Sequence, residues 1–114
     1  DGNIILFDNQ GNSGDGGQSR IIEFDPIRGS IHWSYTGTAE APLFSQYWGA
    51  VQRLDNGNTL ILESTDGRVF EVTQDGHVVW DYRSPYRKVT EDGELVMPLL
   101  DAVRFTEDDL KFLN

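Results

Sequence analysis

Apolar residues in this chain come in short runs of β-branched and aromatic side chains, not at the spacing of a helix face. Ile4-Ile5-Leu6-Phe7, Ile21-Ile22-Glu23-Phe24 and Ile31-His32-Trp33-Ser34-Tyr35 form a first group. Thr59-Leu60-Ile61-Leu62, Val69-Phe70-Glu71-Val72 and Val78-Val79-Trp80-Asp81-Tyr82 form a second. Gly, Asn, Asp and Pro separate the runs, as between β-strands joined by turns. Asn56-Gly57, Asp66-Gly67 and Asp75-Gly76 predict tight hairpins, because glycine adopts positive φ at little cost. Helical patterning is confined to the tail. There Thr106-Glu107-Asp108-Asp109 reads as a capping box ahead of Leu110, Phe112 and Leu113.

The two groups repeat one unit. Gly2/Gly57, Asn3/Asn58, Arg20/Arg68, Glu23/Glu71, Gly29/Gly76, Trp33/Trp80 and Tyr35/Tyr82 are identical between them, and the first unit has the longer loop, Asn9 to Ser19. A fourth apolar run, Gln46 to Leu54, lies between the units, and a matching run, Leu100 to Phe105, follows the second. Four strands per roughly 40–50 residues is the spacing of a β-propeller blade. With the run before Asn56 as innermost strand A, the order along the chain is B-C-D, A-B-C-D, A. The sequence therefore predicts an all-β chain of two four-stranded β-propeller blades with a short C-terminal helix. Blade one spans about residues 1–41, blade two about 44–84, and a closing strand and tail about 99–114. A self-contained antiparallel sandwich or barrel of eight strands is the alternative, and the repeat favours the propeller.

Composition narrows the function. At 114 residues the chain is one small domain or a piece of a larger one. Its opening Asp1-Gly2-Asn3, with neither methionine nor an apolar leader, reads as a processed product or a fragment. No stretch approaches the roughly 20 apolar residues of a membrane span. Nine Lys and Arg against nineteen Asp and Glu give a net charge of -10. That balance argues against nucleic acid and against a polybasic membrane surface. Without cysteine there are no disulfides, thiolate metal sites or cysteine nucleophiles. The oxygen-rich loop from Asp8 to Gly17 departs from EF-hand order at Gln10, Ser13 and Ser19. No lysine or helix start follows it, as a phosphate loop would require. It reads as a flexible connection, with calcium binding as the lesser alternative, and no metal or cofactor is assigned.

Gly2 to Asn9, Ser19 to Pro26, Gln52-Arg53-Leu54-Asp55-Asn56-Gly57-Asn58-Thr59-Leu60-Ile61 and Gly67 to Trp80, with its Arg68-Val69-Phe70-Glu71-Val72-Thr73 core, resemble the arylsulfotransferase family of bacterial β-propellers. The resemblance covers about Asp1 to Phe105 and matches the last part of such a protein. It implies a six-bladed ring with the active site in its central channel, and an exported, periplasmic or extracellular protein. It implies sulfuryl transfer from a phenolic sulfate ester to another phenol, carried covalently by a histidine and needing no nucleotide donor. The family's catalytic histidines lie on or beside inner strands. Here the inner runs offer Gln46, Tyr47 and Trp48, then Leu100, Asp101 and Ala102, none of them histidine. His32 and His77 fall at the outermost strands and read as exposed edge residues. No catalytic residue is therefore assigned. Two readings stand: part of a sulfotransferase ring with its nucleophile elsewhere, or a non-catalytic segment that binds a ligand or partner or serves assembly.

The ligand-facing candidates are Tyr47, Trp48, Gln52 and Arg53. They could line a channel for a small aromatic or anionic ligand, with Arg53 matching the sulfate charge in a bidentate way. Strand alternation keeps all four from pointing one way. Trp33/Tyr35 and Trp80/Tyr82 read as equivalent, largely buried packing between blades. The recurring Arg20, Glu23, Arg68 and Glu71 read as structural ion pairs or hydrogen bonds to neighbouring strands. Two blades cannot close a ring, so the chain is expected to assemble as a homotrimer or to belong to a longer polypeptide.

Overall fold

The computed structural model describes residues 2–12, 18–45, 47–96, 98–99 and 101–113. Three antiparallel sheets follow one another along the chain. The first has the order β1 (Ile4–Asn12), β2 (Gln18–Phe24), β3 (Ile31–Tyr35). The second has β4 (Ala50–Arg53), β5 (Thr59–Glu63), β6 (Arg68–Val72) and β7 (Val78–Arg83). A hairpin of β8 (Arg87–Thr90) and β9 (Gly93–Val96) is the third. The repeated runs are thus strands in the anticipated order, in sheets of three and four strands. The turns at Gly57, Gly67 and Gly76 have φ of 87°, 60° and 85°, the left-handed backbone those dipeptides were expected to supply.

Register explains the packing. Ile5, Phe7, Ile21, Glu23, Trp33 and Tyr35 share one face of the first sheet through the pairs Ile5↔Glu23, Phe7↔Ile21, Ile21↔Tyr35 and Glu23↔Trp33. The apolar members of that face join Val51, Ile61, Phe70, Val72 and Leu43 in one core between the two sheets. The opposite face of the second sheet places Leu60, Leu62 and Val69 against Leu99 and Ala102 of the tail. The order of layers is therefore first sheet, second sheet, tail. The second sheet is covered on both faces over β5 and β6, so all ten of their residues are buried.

Four sequence expectations need correction. The inner run from Gln46 to Leu54 shortens to β4, because Trp48 adopts a left-handed φ of 58° that no strand accommodates. Gln46 lies outside the described residues. The run from Leu100 to Phe105 is not a strand over 101–105: it lies on the second sheet through side chains, and Leu100 lies outside the described residues. Trp33 and Trp80 are not equally buried. Trp33 is half-buried against the core between the sheets, while Trp80 is 44% exposed beside Arg104 of the tail. The β8–β9 hairpin was not anticipated. The terminal helix is present as a 3₁₀ helix, Asp108–Leu113, and its capping box is formed: Thr106 N–H and Oγ1–H donate to Asp109 Oδ2, and Asp109 N–H donates to Thr106 Oγ1.

Candidate functional site

The repeat builds the same side-chain contact twice. On β2, Glu23 accepts a hydrogen bond from Asn3 Nδ2 at 3.0 Å and forms an ion pair with Arg53 Nη2 of the next sheet at 2.7 Å. The Arg53 guanidinium lies 5.2 Å from the ring centroid of Trp33. On β6, Glu71 accepts from Asn58 Nδ2 at 2.7 Å and pairs with Arg104 of the tail. Arg104 lies 5.1 Å from the Trp80 centroid. In both copies the glutamate and tryptophan belong to one layer and the arginine to the next. The asparagine hydrogen bond is the main influence holding each glutamate below its ordinary value of 4.5; the arginine charge assists, and burial opposes. Both carboxylates are thus fixed as anions and occupied, a poor state for general acid chemistry.

The recurring Arg20 and Arg68 take other partners. Arg20 Nε donates to Asp8 Oδ2 at 3.1 Å. Arg68 grips Asp81 through two nitrogens at 3.0 and 2.9 Å, reaches Glu63 at 3.3 Å, and stacks 3.9 Å over the Phe70 ring. Glu63 also accepts from the Phe44 N–H at 2.9 Å. Burial pushes its carboxyl up against those stabilising contacts. This buried pair ties the 43–45 segment to the second sheet.

Of the four candidates on the inner run, two stand apart from two. Gln52 is engaged with the tail, donating to the Arg104 carbonyl at 3.2 Å and accepting from the Arg104 N–H at 2.9 Å. Arg53 is held by Glu23, Trp33 and Thr59. An open cleft of about 320 Å³ lies beside them, bordered by Asp55, Arg104 and Asp109, and both of its arginines already pair with glutamates. Tyr47 and Trp48 instead form an exposed lip, each 61% exposed, with ring centroids 6.1 Å apart and planes at 59°. A small polar network holds the lip's backbone. Asn9 Nδ2 donates to the carbonyls of Ser45 and Trp48, and Ser45 Oγ donates to the Tyr47 carbonyl at 2.8 Å. Fully buried Ser19 exchanges hydrogen bonds with Ser45 behind it. Gly49 completes the turn at φ 155°, and a Cβ there would meet the Phe7 ring at 2.6 Å.

His32 and His77 are both exposed, the first on edge strand β3 and the second at the entry to β7. A family model described as arylsulfotransferase (ASST) matches residues 1–85. The chain belongs to the arylsulfotransferase family. No curated protein and no solved structure matches it. In this arylsulfotransferase-family chain the matched stretch takes in both sheets, the lip and the first Glu–Arg–Trp contact; Arg104 lies beyond it. Sequence reasoning did not single out Asn3, Asn58 or Arg104. The asparagines were legible as identical repeat positions. Arg104 follows from the alignment of the two inner runs, where it falls opposite Arg53. No helix among the described residues is long and apolar enough to cross a membrane.

Proposed function

We propose that the two sheets are successive blades of an arylsulfotransferase-type propeller whose complete ring moves a sulfuryl group from a phenolic sulfate to a second phenol. In this reading the chain contributes blade structure and the Tyr47–Trp48 lip, and the nucleophilic histidine comes from another part of the ring. The observation that supports it is the doubled Asn–Glu–Arg–Trp contact. A link repeated from each layer to the next belongs to stacked repeats and not to a two-sheet sandwich with unlike faces. The family match supports this choice of chemistry. The lip offers aromatic faces for an aryl ring, and in this reading the sulfate's charge is met from elsewhere in the ring. Export from the cytoplasm is part of the same proposal.

The test uses 4-nitrophenyl sulfate with phenol as acceptor. The 114-residue chain should show saturable quenching of tryptophan fluorescence, abolished by Trp48→Ala, and no release of 4-nitrophenol. Turnover that disappears in His32→Ala or His77→Ala would place the nucleophile in this chain and overturn the division of roles. Quenching unaffected by Trp48→Ala would remove the lip from the proposal.

A further inference from the structure

The two repeats part company at the connection that leads into each inner run. Arg20 and Arg68 are equivalent, and they pair across their sheets with Asp8 and Glu63. The next residues, Asn9 and Ser64, are therefore counterparts. Arg53 and Arg104 are equivalent as well, so Trp48 corresponds to Leu99. In the first unit Asn9 Nδ2 donates to the carbonyls of Ser45 and Trp48. In the second, the Ser64 carbonyl accepts from the Leu99 N–H at 3.3 Å, while its fully buried Oγ has no partner among the described residues. Leu99 packs onto Leu60, Leu62 and Val69, whereas Trp48 stands exposed.

The residues behind Asn9 diverge too. Fully buried Ser19 corresponds to Gly67, which has no hydroxyl. Around Ser45 the network draws on both sheets. Ser19 of β2 exchanges hydrogen bonds with it, and Thr65, in the turn between β5 and β6, donates its N–H to Ser45 Oγ at 3.1 Å. What the network holds is unfavourable on its own. Trp48 is the one non-glycine residue with positive φ among the described residues, a backbone that a bulky side chain keeps only where its surroundings over-determine it. The second unit reaches its inner run without such a residue. The first unit instead uses Asn9, Ser19 and Ser45 to keep two aromatic rings in a set position.

We propose, on the reading of the lip as an aryl site, that Asn9 is its positioning residue: it fixes the Trp48 backbone so that the Tyr47 and Trp48 rings are arranged for a planar aryl group before that ligand arrives. Contacts between aromatic rings depend on angle and offset, so a lip free to turn would carry an ordering cost at each binding event. Asparagine suits the task because its amide nitrogen has two protons, one for each of the two carbonyls it meets. Serine has a single proton on a shorter arm, and an ionised aspartate has none.

The test uses the 114-residue chain labelled with fluorotryptophan, and 4-nitrophenyl sulfate as the probe. The three tryptophans give three fluorine resonances, and the one lost in Trp48→Ala belongs to the lip. Asn9→Ser, which installs the second unit's residue, should shift or broaden that resonance and leave those of Trp33 and Trp80 in place. It should also weaken binding of 4-nitrophenyl sulfate, read by fluorescence quenching, about tenfold. A merely structural Asn9 would lower the melting temperature and leave both the resonance and the affinity of the folded protein as they were; that result overturns the proposal. Asn9→Asp, of equal shape but without the donor, repeats both readouts if Asn9→Ser does not fold. A second pair of variants tests the strain with Asn9 intact. Trp48→Gly should melt several degrees above Trp48→Ala, because glycine takes a positive φ freely, and the opposite order overturns the proposal. No quenching by the unaltered chain overturns the aryl-site reading itself, and the resonance and melting readouts then decide separately whether Asn9 holds Trp48.

Discussion

Glu71 joins three chain segments that are far apart in sequence, through Asn58, Arg104 and its own strand. The same holds for Glu23 with Asn3 and Arg53. Both carboxyls lie below the ordinary value of 4.5 when folded. A depressed folded pKa means that the stability they contribute is complete above the unfolded value and is lost as pH falls through the folded one. Glu63 has the opposite sign: burial raises its pKa, so ionisation above 4.5 weakens folding and protonation relieves it. Glu71→Gln should therefore lower stability near pH 7 by about 1–3 kcal/mol and make the decline toward pH 3 shallower. Denaturant midpoints of both proteins across that range check it. Parallel curves would show that Glu71 does not carry the acid sensitivity.

At the level of elements, the two repeats are alike in strand content and unlike in cover. Trp33 packs half-buried against the core, and its Nε1–H donates to the Gln74 carbonyl at 2.9 Å. Trp80 stacks on its neighbour Tyr82 beneath the Arg104 guanidinium and is 44% exposed. Trp33→Ala should cost about 3–5 kcal/mol, and Trp80→Ala in the isolated chain roughly half as much or less. Thermal or urea unfolding at low protein concentration measures the difference; equal losses would contradict the asymmetry. The strands themselves were legible because β-branched and aromatic runs were bounded by Asn-Gly and Asp-Gly. The β8–β9 hairpin was missed although Asp92-Gly93 marks its turn, since Arg87, Lys88 and Glu94 leave too little apolar pattern to read as strands. The break at Trp48 was also out of reach. A left-handed tryptophan is disfavoured locally, and only the tertiary grip of Asn9 and Ser45 makes it hold.

In the whole molecule, the repeat made the order of the strands legible, and the contacts between layers were not. Of the four ligand-facing candidates, Tyr47 and Trp48 form the exposed lip, and Gln52 and Arg53 serve contacts between layers that a linear pattern cannot show. The Glu–Arg link has a consequence for how the molecule comes apart. Each layer is tied to the next by one such contact and a shared apolar face, so the coupling runs between nearest neighbours. Opening then proceeds from the outside inward and not as a single event. Amide hydrogen exchange should rank β5 and β6, buried throughout, as the slowest to exchange, with β1, β3 and β7 faster and the β8–β9 hairpin fastest. Closing the exposed faces against a neighbour would remove the fraying ends, and β1 and β7 would then exchange as slowly as the centre.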